Sequence, residues 1–89
     1  MLNLSLTNIR NEKVIRIEKI KENIIVSFSK DFKLVVENTD ESNTIGYYKQ
    51  FENKIVISYL ITINCIYLFF EDTTMLVLLT DESAYYLTR

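Results

Sequence analysis

A repeat inside the chain constrains it more than any other feature. The tetrapeptide Thr-Asp-Glu-Ser occurs at Thr39 to Ser42 and again at Thr80 to Ser83, and the stretches before the two copies agree. "IIVSFSKDFKLVVEN" lies over "IYLFFEDTTMLVLL" with one residue fewer in the second, so that Ile24 falls on Ile66, Phe28 on Phe70, Leu34 on Leu76 and Val35 on Val77. A tyrosine pair follows each tetrapeptide, Tyr47 with Tyr48 and Tyr85 with Tyr86, after three extra residues in the first copy. Upstream the agreement thins to Asn11-Glu12-Lys13 against Glu52-Asn53-Lys54. The alignment predicts two repeats of about 41 residues, 11–49 and 52–89, inside one domain spanning 1–89, each burying an apolar face against the other.

Within each repeat the apolar residues recur every second position. Ile24, Val26 and Phe28 share one face, as do Phe32, Leu34 and Val36 beyond a short polar break. Ile66, Leu68 and Phe70, then Leu76 and Leu78, take the same positions in the second repeat. Alternation on both sides of a polar break predicts a β-hairpin. The chain has one glycine and no proline. Its turns therefore fall to Asn and Asp, which bond to nearby backbone and tolerate left-handed φ: Asn8, Asn11, Asn23, Asp31, Asn38, Asp40, Asn43, Asn53, Asp72 and Asp81 stand between the apolar runs, and Asp40 or Asp81 closes or caps the tetrapeptide connector.

Segment 11–23 carries two readings. Val14, Ile17, Ile20 and Ile24 would line a helical face, with Glu12 and Arg16 as an i,i+4 pair. Its β-branched residues, and the absence of any helical charge pattern from the matching stretch "NKIVISYLITIN", favour strand. "LNLSL" alternates and predicts an N-terminal strand. The fold expected is all-β, a small antiparallel barrel or sandwich of about seven to eight strands.

What the chain lacks excludes most chemistry. No histidine is present and Cys65 is the one cysteine, so the usual zinc sets and the imidazole-activated nucleophiles cannot be assembled, and a lone glycine makes no phosphate-cradling loop. The acidic pairs Asp40-Glu41, Glu71-Asp72 and Asp81-Glu82 sit in turns, where adjacent carboxylates are ordinarily solvated. The expectation is a protein that is not an enzyme and holds no metal or cofactor. The net charge of −2, with Lys13, Arg16, Lys19 and Lys21 interleaved with Glu12, Glu18 and Glu22, gives no basic stripe for nucleic acid. The uncharged run from Ile55 to Phe70 is shorter than the ~20 residues a spanning helix needs and is rich in β-branched residues. With no signal-peptide pattern at the N-terminus, no membrane association and a cytoplasmic location are expected.

Charge is uneven along the chain. Residues 1–54 carry nine basic and eight acidic groups, whereas 55–89 carry Arg89 against Glu71, Asp72, Asp81 and Glu82. The outward positions of the first hairpin are Ile25, Ser27, Lys33, Val35 and Glu37; those of the second are Tyr67, Phe69, Met75, Val77 and Leu79. A hairpin apolar on both faces has to be covered, and aromatics mixed with methionine make up an interface core. These five residues are the expected protein interface. The function expected is a non-catalytic protein-binding module, an inhibitor or immunity-type protein that occludes a surface of another macromolecule. The Ile-, Asn- and Lys-rich composition, poor in Ala, fits an AT-rich phage, viral or bacterial source. The alternative is a self-associating structural protein forming a homodimer or larger assembly.

Overall fold

The computed structural model describes residues 6–37, 45–81 and 84–88. A 3₁₀ turn, Leu6–Ile9, leads into strands β1 (Val14–Ile20), β2 (Asn23–Phe28) and β3 (Lys33–Glu37). A short helix, α1 (Ile45–Lys49), precedes β4 (Val56–Ile61), β5 (Cys65–Phe70), β6 (Met75–Leu79) and β7 (Tyr85–Thr88). Sheet 1 has the antiparallel order β1-β2-β3-β7 and sheet 2 the order β4-β5-β6. Among the described residues the fold is an all-β sandwich of seven strands in two antiparallel sheets, not a closed barrel. Segment 11–23 is strand and turn. The expected strand at "LNLSL" and the first Thr-Asp-Glu-Ser lie outside the described residues, apart from Leu6, which opens the 3₁₀ turn.

The backbone repeats itself at an offset of 42. Val14 pairs with Phe28 and Val56 with Phe70; Asn23 pairs with Glu37 and Cys65 with Leu79; bulges interrupt the ladders at Val14/Arg16 and Val56/Ser58. Phe28 N–H donates to the Phe32 carbonyl as Phe70 N–H does to that of Thr74. The halves meet about a quasi-two-fold axis at the antiparallel bridge between Lys13 and Ile55. Around it, Asn11 N–H donates to Val56 O at 2.7 Å and Asn53 N–H to Val14 O at 2.6 Å, while Val14 N–H reaches Lys54 O at 2.9 Å and Val56 N–H reaches Glu12 O at 3.0 Å. Asn11 (φ 66°) and Asn53 (φ 72°) are both left-handed there, a conformation that asparagine tolerates better than most residues.

An offset of 42 corrects the sequence alignment at two points. Asn11 corresponds to Asn53, so Glu12 corresponds to Lys54; the match of Asn-Glu-Lys to Glu-Asn-Lys is out of step by one. The tyrosine pairs do not correspond at all, since Tyr47 and Tyr48 lie in α1 and Tyr85 and Tyr86 in β7. The counterparts of Tyr48 and Phe51 are instead Leu6 and Ile9, and all four are buried against the same core.

That core is one cluster between the sheets. Ile17, Ile24, Val26, Leu34 and Val36 enter it from sheet 1 and Ile66, Leu68, Leu76 and Leu78 from sheet 2, all fully buried. They are the alternate residues of each strand, and burying them is the main term holding so small a domain together. Phe51 stacks on Phe70 with ring centroids 5.6 Å apart and closes one end.

Candidate protein interface

The bulges and pleat place the opposite set of side chains outward. On sheet 2 the register sets Ser58 beside Phe69 and Leu60 beside Tyr67, then Phe69 beside Met75, Tyr67 beside Val77 and Cys65 beside Leu79. Tyr67, Phe69, Met75, Val77 and Leu79 therefore lie on one sheet face, two strands wide. Tyr67, Phe69 and Val77 are half-buried by their neighbours, whereas Met75 and Leu79 are 42% and 38% exposed.

The face is wider than sequence alone indicated. Leu60, beside Tyr67, extends it onto β4 at 53% exposed. Ile61 and Ile63 are exposed as well, Ile61 beside the buried Ile66 on the other side of the sheet and Ile63 in the β4–β5 turn. The signal that finds Leu60 and Ile61 is the offset of 42. Glu18 corresponds to Leu60, Lys19 to Ile61, Lys33 to Met75 and Glu37 to Leu79, whereas the turns at Lys21 (φ 54°) and Ile63 differ in length and backbone conformation. Equivalent backbone positions on sheet 1 thus hold charges at four sites where sheet 2 holds large apolar side chains, three of them (Leu60, Met75 and Leu79) on the outer face. The long apolar run from Ile55 hid this, because without a structure a charge-free stretch reads as core.

The sheet-1 outer face mixes charged residues with a row of apolar ones, Ile25, Val35 and Tyr86, the last 55% exposed. Arg16 and Glu18 pair across it at 3.3 Å, with both side chains largely in water, an arrangement worth little to stability. Val35 is buried there because β7 sets Tyr86 beside it. Its counterpart Val77 has no such neighbour among the described residues and stays half-exposed.

Polar groups around the sheet-2 face are structural. The Asp72 carboxylate accepts from the Thr74 hydroxyl and N–H and pairs with Lys54 Nζ at 2.9 Å. These contacts, Thr74 first, hold it at a pKa of about 2. In the second Thr-Asp-Glu-Ser, Asp81 N–H donates to Glu37 O and Thr80 Oγ1 to Ala84 O, so this connector carries the chain from sheet 2 to sheet 1. Cys65 is half-buried, two residues from Tyr67 on the outer side of β5, and a hydrogen bond with its sulfur pushes the Tyr67 phenol above its ordinary range.

Comparison with known protein families, curated proteins and solved structures returns no match to this chain. Among the described residues, no helix is long and apolar enough to cross a membrane.

Proposed function

We propose that this chain is a non-catalytic protein-binding module, an inhibitor or immunity-type protein of phage, viral or bacterial origin. It acts in the cytoplasm by laying the outer face of β4-β5-β6 over a surface of another protein. One observation carries the reading: Leu60, Met75 and Leu79 are exposed on the outer face at backbone positions where the other half of the same fold carries Glu18, Lys33 and Glu37, and Ile61 at the strand end replaces Lys19. Charge is compatible with the fold at those positions, so packing does not account for the apolar side chains. A contiguous apolar patch with aromatic and methionine content is the composition of an interface core.

The test is a transplant within the molecule. Replacing Leu60→Glu, Ile61→Lys, Met75→Lys and Leu79→Glu copies sheet 1 onto sheet 2. The wild-type chain is expected to retain a defined protein from extracts of the cells that produce it, and the folded quadruple variant is expected to release it. Retention by both would refute the assignment of this face.

A second reading, self-association through the same face, is favoured by the exposed apolar residues Leu60, Met75 and Leu79, which a second copy would bury about a two-fold axis. Solution mass by light scattering over a range of concentrations separates the two. A dimer that the quadruple variant dissolves would make the chain its own partner.

A further inference from the structure

The two halves differ in one structural respect besides charge. β3 is covered on its far edge by β7, through register pairs from Lys33 with Thr88 to Val36 with Tyr85. β6, the equivalent strand, pairs with β5 on one side and, among the described residues, with nothing on the other. The Phe70 N–H to Thr74 O bond fixes the alternation: Leu76 and Leu78 exchange bonds with β5, and Met75, Val77 and Leu79 turn their N–H and C=O groups to the open side. In sheet 1 the corresponding Glu37 uses those groups, donating to Ala84 O and accepting from Asp81 N–H. An edge of five uncharged residues, with none of the usual guards, is a template for another strand.

Charge indicates what strand fits. No lysine or arginine occurs between Ile55 and Thr88. Glu71 precedes β6 and Asp81 follows it, both exposed and neither ion-paired among the described residues. The β6 strand is therefore apolar in the middle, with one unpaired carboxylate, Glu71, in the turn before it beside the Lys54–Asp72 pair, and another, Asp81, just past its end. Two copies pairing antiparallel about Val77 would bring the Glu71 end of one against the Asp81 end of the other, like charge on like, which an interface is built to avoid.

We propose that β6 is extended by an added strand from a partner protein, apolar at its centre and flanked by lysine or arginine. This deepens the protein-binding reading and rests on it. The partner's backbone satisfies Met75, Val77 and Leu79, its apolar side chains widen the outer face of sheet 2, and its basic flanks meet Glu71 and Asp81.

The test uses the whole chain, isotopically labelled, and two synthetic peptides with the same alternating valine and threonine centre, one flanked by lysine pairs and the other by glutamate pairs. The lysine-flanked peptide is expected to slow hydrogen exchange at the amides of Met75, Val77 and Leu79, to bind at least tenfold more tightly than the glutamate-flanked one, and to weaken as salt rises. Val77→Pro removes a donor on the open side only, a substitution that edge strands accept, and should abolish binding in a folded protein. Should that variant unfold, Met75→Lys serves in its place and is expected to reverse the preference between the peptides. Silence of the three amides toward both peptides at about 1 mM, where even a binding energy of some 4 kcal/mol would register, overturns the proposal. So does equal binding of both, or a free dimer in which these amides are already protected. If the quadruple variant loses the captured protein while the β6 amides stay silent, the face stands as the interface and strand addition falls.

Discussion

Lys54 Nζ lies 2.9 Å from Asp72 Oδ2, and each of these residues stands 42 positions after one of opposite sign in the same pair, Glu12 with Lys30 at 3.6 Å. The exchange recurs across the quasi-two-fold axis. The Arg10 guanidinium lies 5.6 Å from the Tyr59 ring centroid, while the corresponding Glu52 accepts from the N–H of Ile17, the counterpart of Tyr59. The two halves thus place groups of opposite sign at equivalent positions, each with a favourable partner.

Swapping the signs of one pair tests this. Lys54→Glu sets two carboxylates together and is expected to lower the thermal midpoint by a few degrees, roughly the scale of a modest ΔΔG in a domain this size. Adding Asp72→Lys copies the arrangement of Glu12 and Lys30 and is expected to restore most of the loss. No recovery in the double variant would show that the sign matters at this site.

Acid should act through Asp72. Its carboxyl ionises at about 2 in the folded protein, below its ordinary value of 3.8. A depressed carboxylate gives stability that is fully present above the unfolded pKa and lost as pH falls through the folded one. Asp72→Asn is therefore expected to flatten the fall of the thermal midpoint between pH 4 and pH 2, with the wild type and variant converging at the acid end. A parallel offset between the two curves would assign the effect to lost hydrogen bonds instead.

Neighbouring residues of β6 should respond in opposite ways. Leu76 and Leu78 are fully buried, and truncation of either to alanine should cost ~2–5 kcal/mol. Met75→Lys and Leu79→Glu copy the sheet-1 residues onto exposed sites and should change stability by no more than about 0.5 kcal/mol. Urea unfolding of the four variants measures both.

The hairpins were legible in the sequence because their inward residues alternate without interruption from Ile24 to Phe28 and from Ile66 to Phe70. The second hairpin's outer face was legible too, since Tyr67, Phe69, Met75, Val77 and Leu79 break the expected alternation with polar residues. Leu60 was not, for an apolar residue on an exposed strand end looks the same as a core residue until a backbone register supplies its charged counterpart, Glu18. The tetrapeptide misled the alignment by one residue because it follows the chain's connectors, whose lengths differ between the halves, whereas the strand ladders keep a constant offset. Helix α1 was missed for a related reason: "IGYYK" is too short for a 3.6-residue period to register, and its tyrosines resemble those of β7 in type alone.

Backbone strain separates the halves at their second turn. Asp31 (φ 63°) and Thr73 (φ 71°) hold equivalent left-handed positions, and aspartate tolerates that region where a β-branched threonine is crowded. Thr73→Gly is expected to raise stability by about 1 kcal/mol, and Asp31→Thr to lower it by a similar amount. Urea midpoints that move together in either direction would contradict the equivalence.

The contact between Glu52 and Ile17 joins the halves where β1 resumes after its bulge. Glu52 Oε2 accepts the Ile17 N–H at 2.9 Å, and that bond, aided by Lys49, lowers the carboxyl pKa below its ordinary value. Ile17 is fully buried, so its N–H loses its protein acceptor if the carboxylate is removed. Glu52→Gln keeps an acceptor and gives up the charge, whereas Glu52→Ala gives up both. Because the Glu52 side chain is partly exposed, water offsets some of the loss, and Glu52→Ala is expected to cost about 1 kcal/mol with Glu52→Gln losing less. The wild-type contribution is present above the unfolded pKa and fades as pH falls through the lowered folded value. The gap between wild type and Glu52→Gln should therefore close in acid, and faster exchange of the Ile17 amide in Glu52→Ala than in Glu52→Gln would locate the effect at this bond.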